Sequence, residues 1–172
     1  IDKSEYGWSI SLPKEIRVNE PQMVDLALEV YNKAYAKTYL NTNTLYEGLE
    51  EVIISLSKYY KIAVLSNKQD EYVKNLVKQL LPEGICELAR GTIDGRPAKP
   101  SPDVALEIAD TLGVAHYECI LIGDSDIDIL TAENAGFDVL SVSWGYVSKT
   151  KLIMNGAENI INSPNELLEF FE

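Results

Sequence analysis

Three carboxylates stand at alternate positions in Leu121-Ile-Gly-Asp-Ser-Asp-Ile-Asp128, namely Asp124, Asp126 and Asp128. The apolar run Cys119 to Ile122 leads into them and breaks at Gly123. This is how a buried parallel strand delivers acids to its C-terminal tip, where open α/β sheets bind ligands. Carboxylates this close repel one another unless a cation joins them, and a hard, oxygen-seeking ion such as Mg²⁺ suits them. A solvated turn that caps the next helix is the competing reading, because Asp and Ser are good N-caps.

Two further segments carry groups of the opposite character. Ser66-Asn67 ends the apolar run Lys61 to Leu65 and offers a hydroxyl and amides that can donate to an anion. Ala98-Lys-Pro-Ser-Pro-Asp103 presents Lys99, with Pro97 and Pro100 restricting the backbone on either side. Each has a plain alternative: Ser66-Asn67 as a helix cap, Lys99 as a surface lysine. In a parallel sheet, however, all strand C-termini lie on one edge, so the three segments converge there. A lysine, neutral donors and a metal-binding carboxylate together describe a phosphate site, because phosphoryl transfer depends mainly on positioning and charge neutralisation.

The elements that must position these groups follow from periodicity. Asn19-Glu20-Pro21 reads as a helix start. Met23, Leu26, Ala27, Val30 and Ala34 continue it at helical spacing to about Tyr39, and Tyr31, Tyr35 and Tyr39 recur every fourth residue, which reads as a cap face partly against the core, with a substrate-facing role as the alternative. No period marks Ile1 to Arg17. A second helix spans about Glu47 to Lys58. From residue 61 onward, strands and helices alternate. Strands are expected at Lys61–Leu65, Ile85–Ala89, Cys119–Ile122, Val139–Val142 and, weakly, Asn159–Ile161. Helices are expected at Asp70–Leu81, from Pro102 to Leu112, between the acids and a C-cap at Gly136, and after Ser163-Pro164, with Leu167, Leu168 and Phe171 inward. Gly91 to Asp103 reads as a loop, and His116 falls in a surface connection. The alternation implies an α/β fold, a Rossmann-like doubly wound parallel sheet, preceded by an N-terminal helical cap.

Bulk composition narrows the class. A chain of 172 residues with 46% hydrophobic content supports one core domain with a small appendage. The net charge of −12 argues against a nucleic-acid partner. It also requires a locally positive pocket for any anionic ligand. Cys86 and Cys119 stand far apart in apolar settings and read as reduced thiols of a cytoplasmic protein. Neither a membrane-spanning run nor a signal-peptide pattern is evident.

The segments Ala63-Val-Leu-Ser-Asn-Lys68, Lys99-Pro-Ser-Pro-Asp103 and Ile122-Gly-Asp-Ser-Asp-Ile-Asp128 resemble, in order, the second, third and fourth motifs of the haloacid dehalogenase-like hydrolase superfamily. Thr131-Ala-Glu-Asn-Ala-Gly136 resembles the helix after the fourth motif, while Tyr46-Glu-Gly48 and Ser143-Trp-Gly-Tyr146 resemble its phosphoglycolate phosphatase-like branch. The resemblance makes residues 45–172 the α/β hydrolase core and residues 1–44 the remainder of a helical cap. It implies that Ser66 and the Asn67 amide bind phosphate and that Lys99 is catalytic and neutralises the phosphoryl group. It also implies that Asp124 ligates Mg²⁺ and that Asp128 supports the metal or orients Lys99. Asp126 matches a variable, solvated position. Trp144 and Tyr146 either line the pocket or pack under the last loop.

One departure stands out. The superfamily's first motif is an Asp-x-Asp at the tip of the central strand, supplying the nucleophile and the general acid/base. Asp2 has no apolar strand before it, and Asp94 sits in a loop. The expectation is therefore that the first core strand and the start of the cap are missing from these 172 residues, which open on Ile1 and not Met. The implied activity is Mg²⁺-dependent hydrolysis of a small phosphorylated metabolite such as phosphoglycolate, through an aspartyl-phosphate. A sugar-phosphate mutase, a pyrophosphatase, or a non-catalytic phosphate- and metal-binding module are the alternatives.

Overall fold

The computed structural model describes residues 21–171, with side chains from Leu26 onward apart from Leu28. The segment Ile1 to Arg17, the Asn19-Glu20 helix start and the Met23 side chain lie outside the described residues. The chain divides between Thr44 and Leu45 into two units.

In the first unit, α1 (Pro21–Thr42) runs slightly longer than its periodicity predicts. Tyr31, Tyr35 and Tyr39 stack along it with ring centroids 5.7 and 5.8 Å apart, the spacing that i,i+4 neighbours on a helix allow. Leu26 and Val30, two of the apolar residues of its helical repeat, are exposed. Helical spacing records amphipathicity; it does not say what covers the apolar side.

The second unit begins with α2 (Leu49–Leu56), entered through Gly48 at φ 78°, a conformation that glycine takes without a Cβ penalty. Then follow β1 (Ala63–Gln69), α3 (Asp70–Leu80), β2 (Leu88–Thr92), α4 (Asp103–Leu112), β3 (Ile120–Gly123), α5 (Asp126–Ala135), β4 (Asp138–Val142), α6 (Lys149–Met154), β5 (Ile160–Ile161) and α7 (Asn165–Phe171). Every strand pairing is parallel. Side chains alternate across β4, so its two faces feed two cores. Leu140 and Val142 meet Val52, Leu56, Ile161 and Leu167 from α2, β5 and α7. Val139 packs on the opposite side with Ile129, Val147 and Leu152. Helices therefore cover both faces of this sheet, as the parallel pattern requires.

The strands form two parallel sheets, β1-β2 and β3-β4-β5, as a doubly wound fold without its first core strand would. Among the described residues no strand pairs with β1 on the side away from β2, or with β3 on the side away from β4. Boundaries shift from those expected. Ser66-Asn67 lie inside β1 and not beyond its tip: between Leu65 and Gln69 the chain advances four residues while β2 advances two, from Arg90 to Thr92. Such bulges re-aim side chains near sites. Strand β2 starts at Leu88 and includes Arg90 and Gly91, which read as the edge of a loop. Helix α6 was not expected at all. Its six residues are too short to establish a period. His116 sits on an exposed 3₁₀ turn, His116–Glu118.

Two ion-pair nodes brace β1 and β2. Asp70, at the junction of β1 and α3, accepts the Gly91 N–H at 2.9 Å and binds Lys74 Nζ at 2.6 Å. Burial alone pushes the Asp70 carboxyl up. The Lys74 ammonium, the Gly91 amide and the Arg90 charge outweigh it and hold the group below its ordinary value. Glu107 on α4 binds Arg90 at 3.0 Å and also Arg96 from the loop after β2. Hydrogen bonds from Arg96 and then Arg90 hold its carboxyl below the usual range. Gly91 itself leaves no room for a side chain, because a Cβ would lie 2.5 Å from the Asp70 Cα and 2.6 Å from its nitrogen.

Two outcomes follow. Gly91→Ala forces backbone against backbone, and should lower stability by about 2–3 kcal/mol in urea titrations; an unchanged midpoint would contradict this packing. Asp70 and Glu107 both have depressed folded values, so their stabilisation is complete above their ordinary values and fades as pH falls through the folded ones. The loss of stability as pH falls below about 4.5 should therefore be shallower in the Asp70→Asn/Glu107→Gln double variant than in the parent, measured by thermal melts at each pH.

Candidate functional site

The site is organised around the turn between β3 and α5. Ser125 is the N-cap of α5 and Asp128 its third residue, and the two cap each other. Ser125 Oγ accepts the Asp128 N–H at 3.3 Å and donates its own proton to Asp128 Oδ2 at 2.6 Å. The same Oδ2 accepts the backbone N–H groups of Asp124 at 3.2 Å and Ser125 at 3.1 Å. Gly123 makes this possible, since a Cβ there would fall 2.6 Å from Oδ2. The second oxygen, Oδ1, takes the Lys99 ammonium at 2.5 Å, with side-chain exposures of only 13% for Lys99 and 7% for Asp128. Both oxygens of Asp128 are thus committed to hydrogen bonds.

Lys99 is held from its backbone too. Asn67 donates from Nδ2 to the Lys99 carbonyl at 3.0 Å and accepts the Lys99 N–H on Oδ1 at 2.9 Å. This pair of bonds ties the loop after β2 to the bulged segment of β1. The Lys99–Pro100 peptide is cis. The Pro100 carbonyl accepts from Asn134 Nδ2 of α5 at 2.9 Å. Ser66 Oγ accepts the Lys68 N–H at 3.1 Å, which leaves its own proton available to an incoming acceptor.

Asp124 stands one residue past β3. Its Oδ2 accepts the N–H of Tyr146. Its Oδ1 accepts no hydrogen bond among the described residues. Asp126, in the first turn of α5, makes no side-chain hydrogen bond or ion pair there. Trp144 packs on the core cluster of α2, β4 and α7, whereas the Tyr146 side chain is exposed and only its amide reaches the site. Among the described residues no three His, Cys, Asp or Glu side chains cluster to form a metal cage.

Asn67, Lys99, Asp128 and Asp124 therefore form one connected polar chain, with Ser66 beside Asn67 on the same strand. Three contributors were not legible beforehand: the amide side chain of Asn67 as a clamp on Lys99, Ser125 as a partner of Asp128, and the Tyr146 amide on Asp124. Only the second had a local signal, the Ser-x-x-Asp spacing of a capping box.

Comparison with known proteins identifies the family. The family model for haloacid dehalogenase-like hydrolases matches residues 10–142. A phosphoglycolate phosphatase of Aquifex aeolicus (strain VF5) is 29% identical over 158 residues, covering 89% of this chain and 73% of that protein. One from Colwellia psychrerythraea is 27% identical over 143 residues, covering 83% of this chain and 63% of that protein. A solved structure from Lactobacillus delbrueckii subsp. bulgaricus, provisionally assigned as a phosphoglycolate phosphatase, superposes with a TM-score of 0.84 at 35% identity. It covers 96% of this chain, which in turn spans 69% of that one. With its family model matched over residues 10–142, the chain belongs to the haloacid dehalogenase-like hydrolases.

Proposed function

We propose that this protein hydrolyses small phosphate monoesters, with a compact ester of the phosphoglycolate kind as the preferred substrate. The observation that carries the proposal is the buried Lys99–Asp128 pair at 2.5 Å, clamped through Asn67. A lysine fixed on both its backbone and its ammonium, beside an open carboxylate at a strand tip, is preorganised for a charged group and needs no rearrangement to meet it. Curated relatives that carry the name phosphoglycolate phosphatase support the substrate class.

The residues divide the work. Lys99 neutralises equatorial phosphoryl oxygens while Asp128 fixes its direction. Ser66 donates a hydrogen bond to the phosphate, helped by the Asn67 backbone N–H. The donor set suits Mg²⁺, which binds through one or two carboxylates plus waters and substrate oxygens and does not need an all-protein cage. Asp124, with Oδ1 open, would hold it, and the ion would supply charge neutralisation. Asp128, with Lys99 on Oδ1 and three donors on Oδ2, orients Lys99 and supports the metal site from behind. In the superfamily the nucleophile is an aspartate at the tip of a central strand, and the edges of β1 and β3, which pair with no strand among the described residues, are where such a strand would pair. The aspartate carboxylate attacks phosphorus, the ester oxygen leaves with a proton from a neighbouring acid, and water then cleaves the aspartyl-phosphate.

In the full-length protein, Asp124→Asn should lower Mg²⁺-supported turnover of an aryl phosphate by orders of magnitude, and Asp126→Asn should change it little. Equal losses in both, measured across a metal titration, would overturn the assignment of Asp124. Lys99→Ala should reduce kcat about a hundredfold, the usual size of one lost electrostatic stabiliser. Unaltered turnover would reduce Lys99 to a structural partner of Asp128.

A further inference from the structure

The loop Ser143–Ser148 crosses the site with its backbone, not its side chains. Trp144 is packed into the core shared by α2, β4 and α7. Val147, three residues on, is buried with Ile129 and Leu152 in the core on the opposite face of the sheet. The chain between these two anchors has little freedom, and it passes directly over Asp124. There the Tyr146 N–H binds Asp124 Oδ2. A Cβ on Gly145 would overlap the Asp124 side chain, lying 2.5 Å from its Cγ and nearer still to Cβ and Oδ2. Gly145 is not among the residues with positive φ. Its backbone therefore suits any residue, and the requirement at this position is space. The Tyr146 side chain, 88% exposed, contributes nothing to the contact.

We infer that Trp144–Val147 is a strap that sets the Asp124 carboxylate, and that Gly145 is a positioning residue for cation binding. The strap occupies Oδ2 with an amide and presses against the rest of the side chain. Asp124 is thereby confined to one rotamer with Oδ1 presented. A carboxylate held in one rotamer loses less entropy on binding than one that rotates freely. This inference rests on the proposal that Asp124 is a cation ligand, and the test separates the two.

Mn²⁺ is titrated into the full-length protein in the presence of inorganic phosphate, and free Mn²⁺ is followed by electron paramagnetic resonance. Gly145→Ala should weaken binding tenfold or more, while Ser148→Ala, an exposed neighbour in the same loop, should stay within twofold of the parent. Asp124→Asn should abolish the high-affinity signal. If Asp124→Asn retains parental affinity, the cation reading of the site fails. If Asp124→Asn loses binding and Gly145→Ala retains it, the strap inference alone fails. A double-mutant cycle in thermal melts covers the case in which Gly145→Ala folds poorly. Its loss in melting temperature should largely disappear in the Asp124→Gly background, where the obstructing side chain is gone. An equal loss in both backgrounds would show that Gly145 serves the fold and not Asp124.

Discussion

The carboxylate of Asp128 is the constraint on which the site depends. It accepts four donors: the Lys99 ammonium, the amides of Asp124 and Ser125, and the Ser125 hydroxyl. A charge this buried is tolerable only when its lone pairs are used, and here they are. The arrangement fixes several things together. It caps α5, it sets the turn that places Asp124, and it pins a lysine that arrives from a different sheet. Gly123 is the concession in sequence that lets the carboxylate lie against the strand end. Loss of either partner would strand the other charge in a low-dielectric pocket, so the pair is kept or lost together.

That same contact spans an architectural break. The β1-β2 and β3-β4-β5 sheets share no ladder, yet the loop after β2 meets α5 through Lys99–Asp128 and through Asn134 on the Pro100 carbonyl. Helices α4 and α5 also pack on each other. Polar bridges at the C-terminal edge and helix packing thus join two sheets whose β1 and β3 edges pair with no strand among the described residues. Unpaired edges are ordinarily hazardous, because they present backbone donors and acceptors to other chains.

What was legible in the sequence divides by range. The acidic turn could be read because it is local: an apolar run, a glycine and acids at alternate positions all fall within ten residues. The helix C-cap at Gly136, at φ 69°, could be read for the same reason. Lys99 was singled out by its prolines, but its partners were not apparent, since Asn67 is 32 residues away and Asp128 29. Nothing in the sequence announces that an asparagine side chain will bind both backbone groups of a distant lysine. Strand limits slipped where a bulge intervened, at Ser66-Asn67, because alternation is lost there. The Gly145 approach to Asp124 was hidden for a further reason. A glycine that is needed for space, with φ negative or extended, looks the same in sequence as one needed for a turn.

Charge explains why these parts belong together. The chain carries a net charge of −12, and its candidate site adds Asp124 and Asp128 against Lys99 alone. Lys99 offsets only one of the two carboxylates, so a phosphate dianion approaching Lys99 still meets a net negative site and would be repelled. A divalent cation on Asp124 would reverse that sign, which is the electrostatic reason for proposing one there. The reversal is effective only at short range, because salt screens the rest of the protein's field within about 8–10 Å. Cation, ammonium and phosphate must then sit within a few ångströms of each other, at positions fixed before binding. The Asn67 clamp and the Tyr146 amide serve that end. Neither adds charge; each removes freedom from a group that carries it.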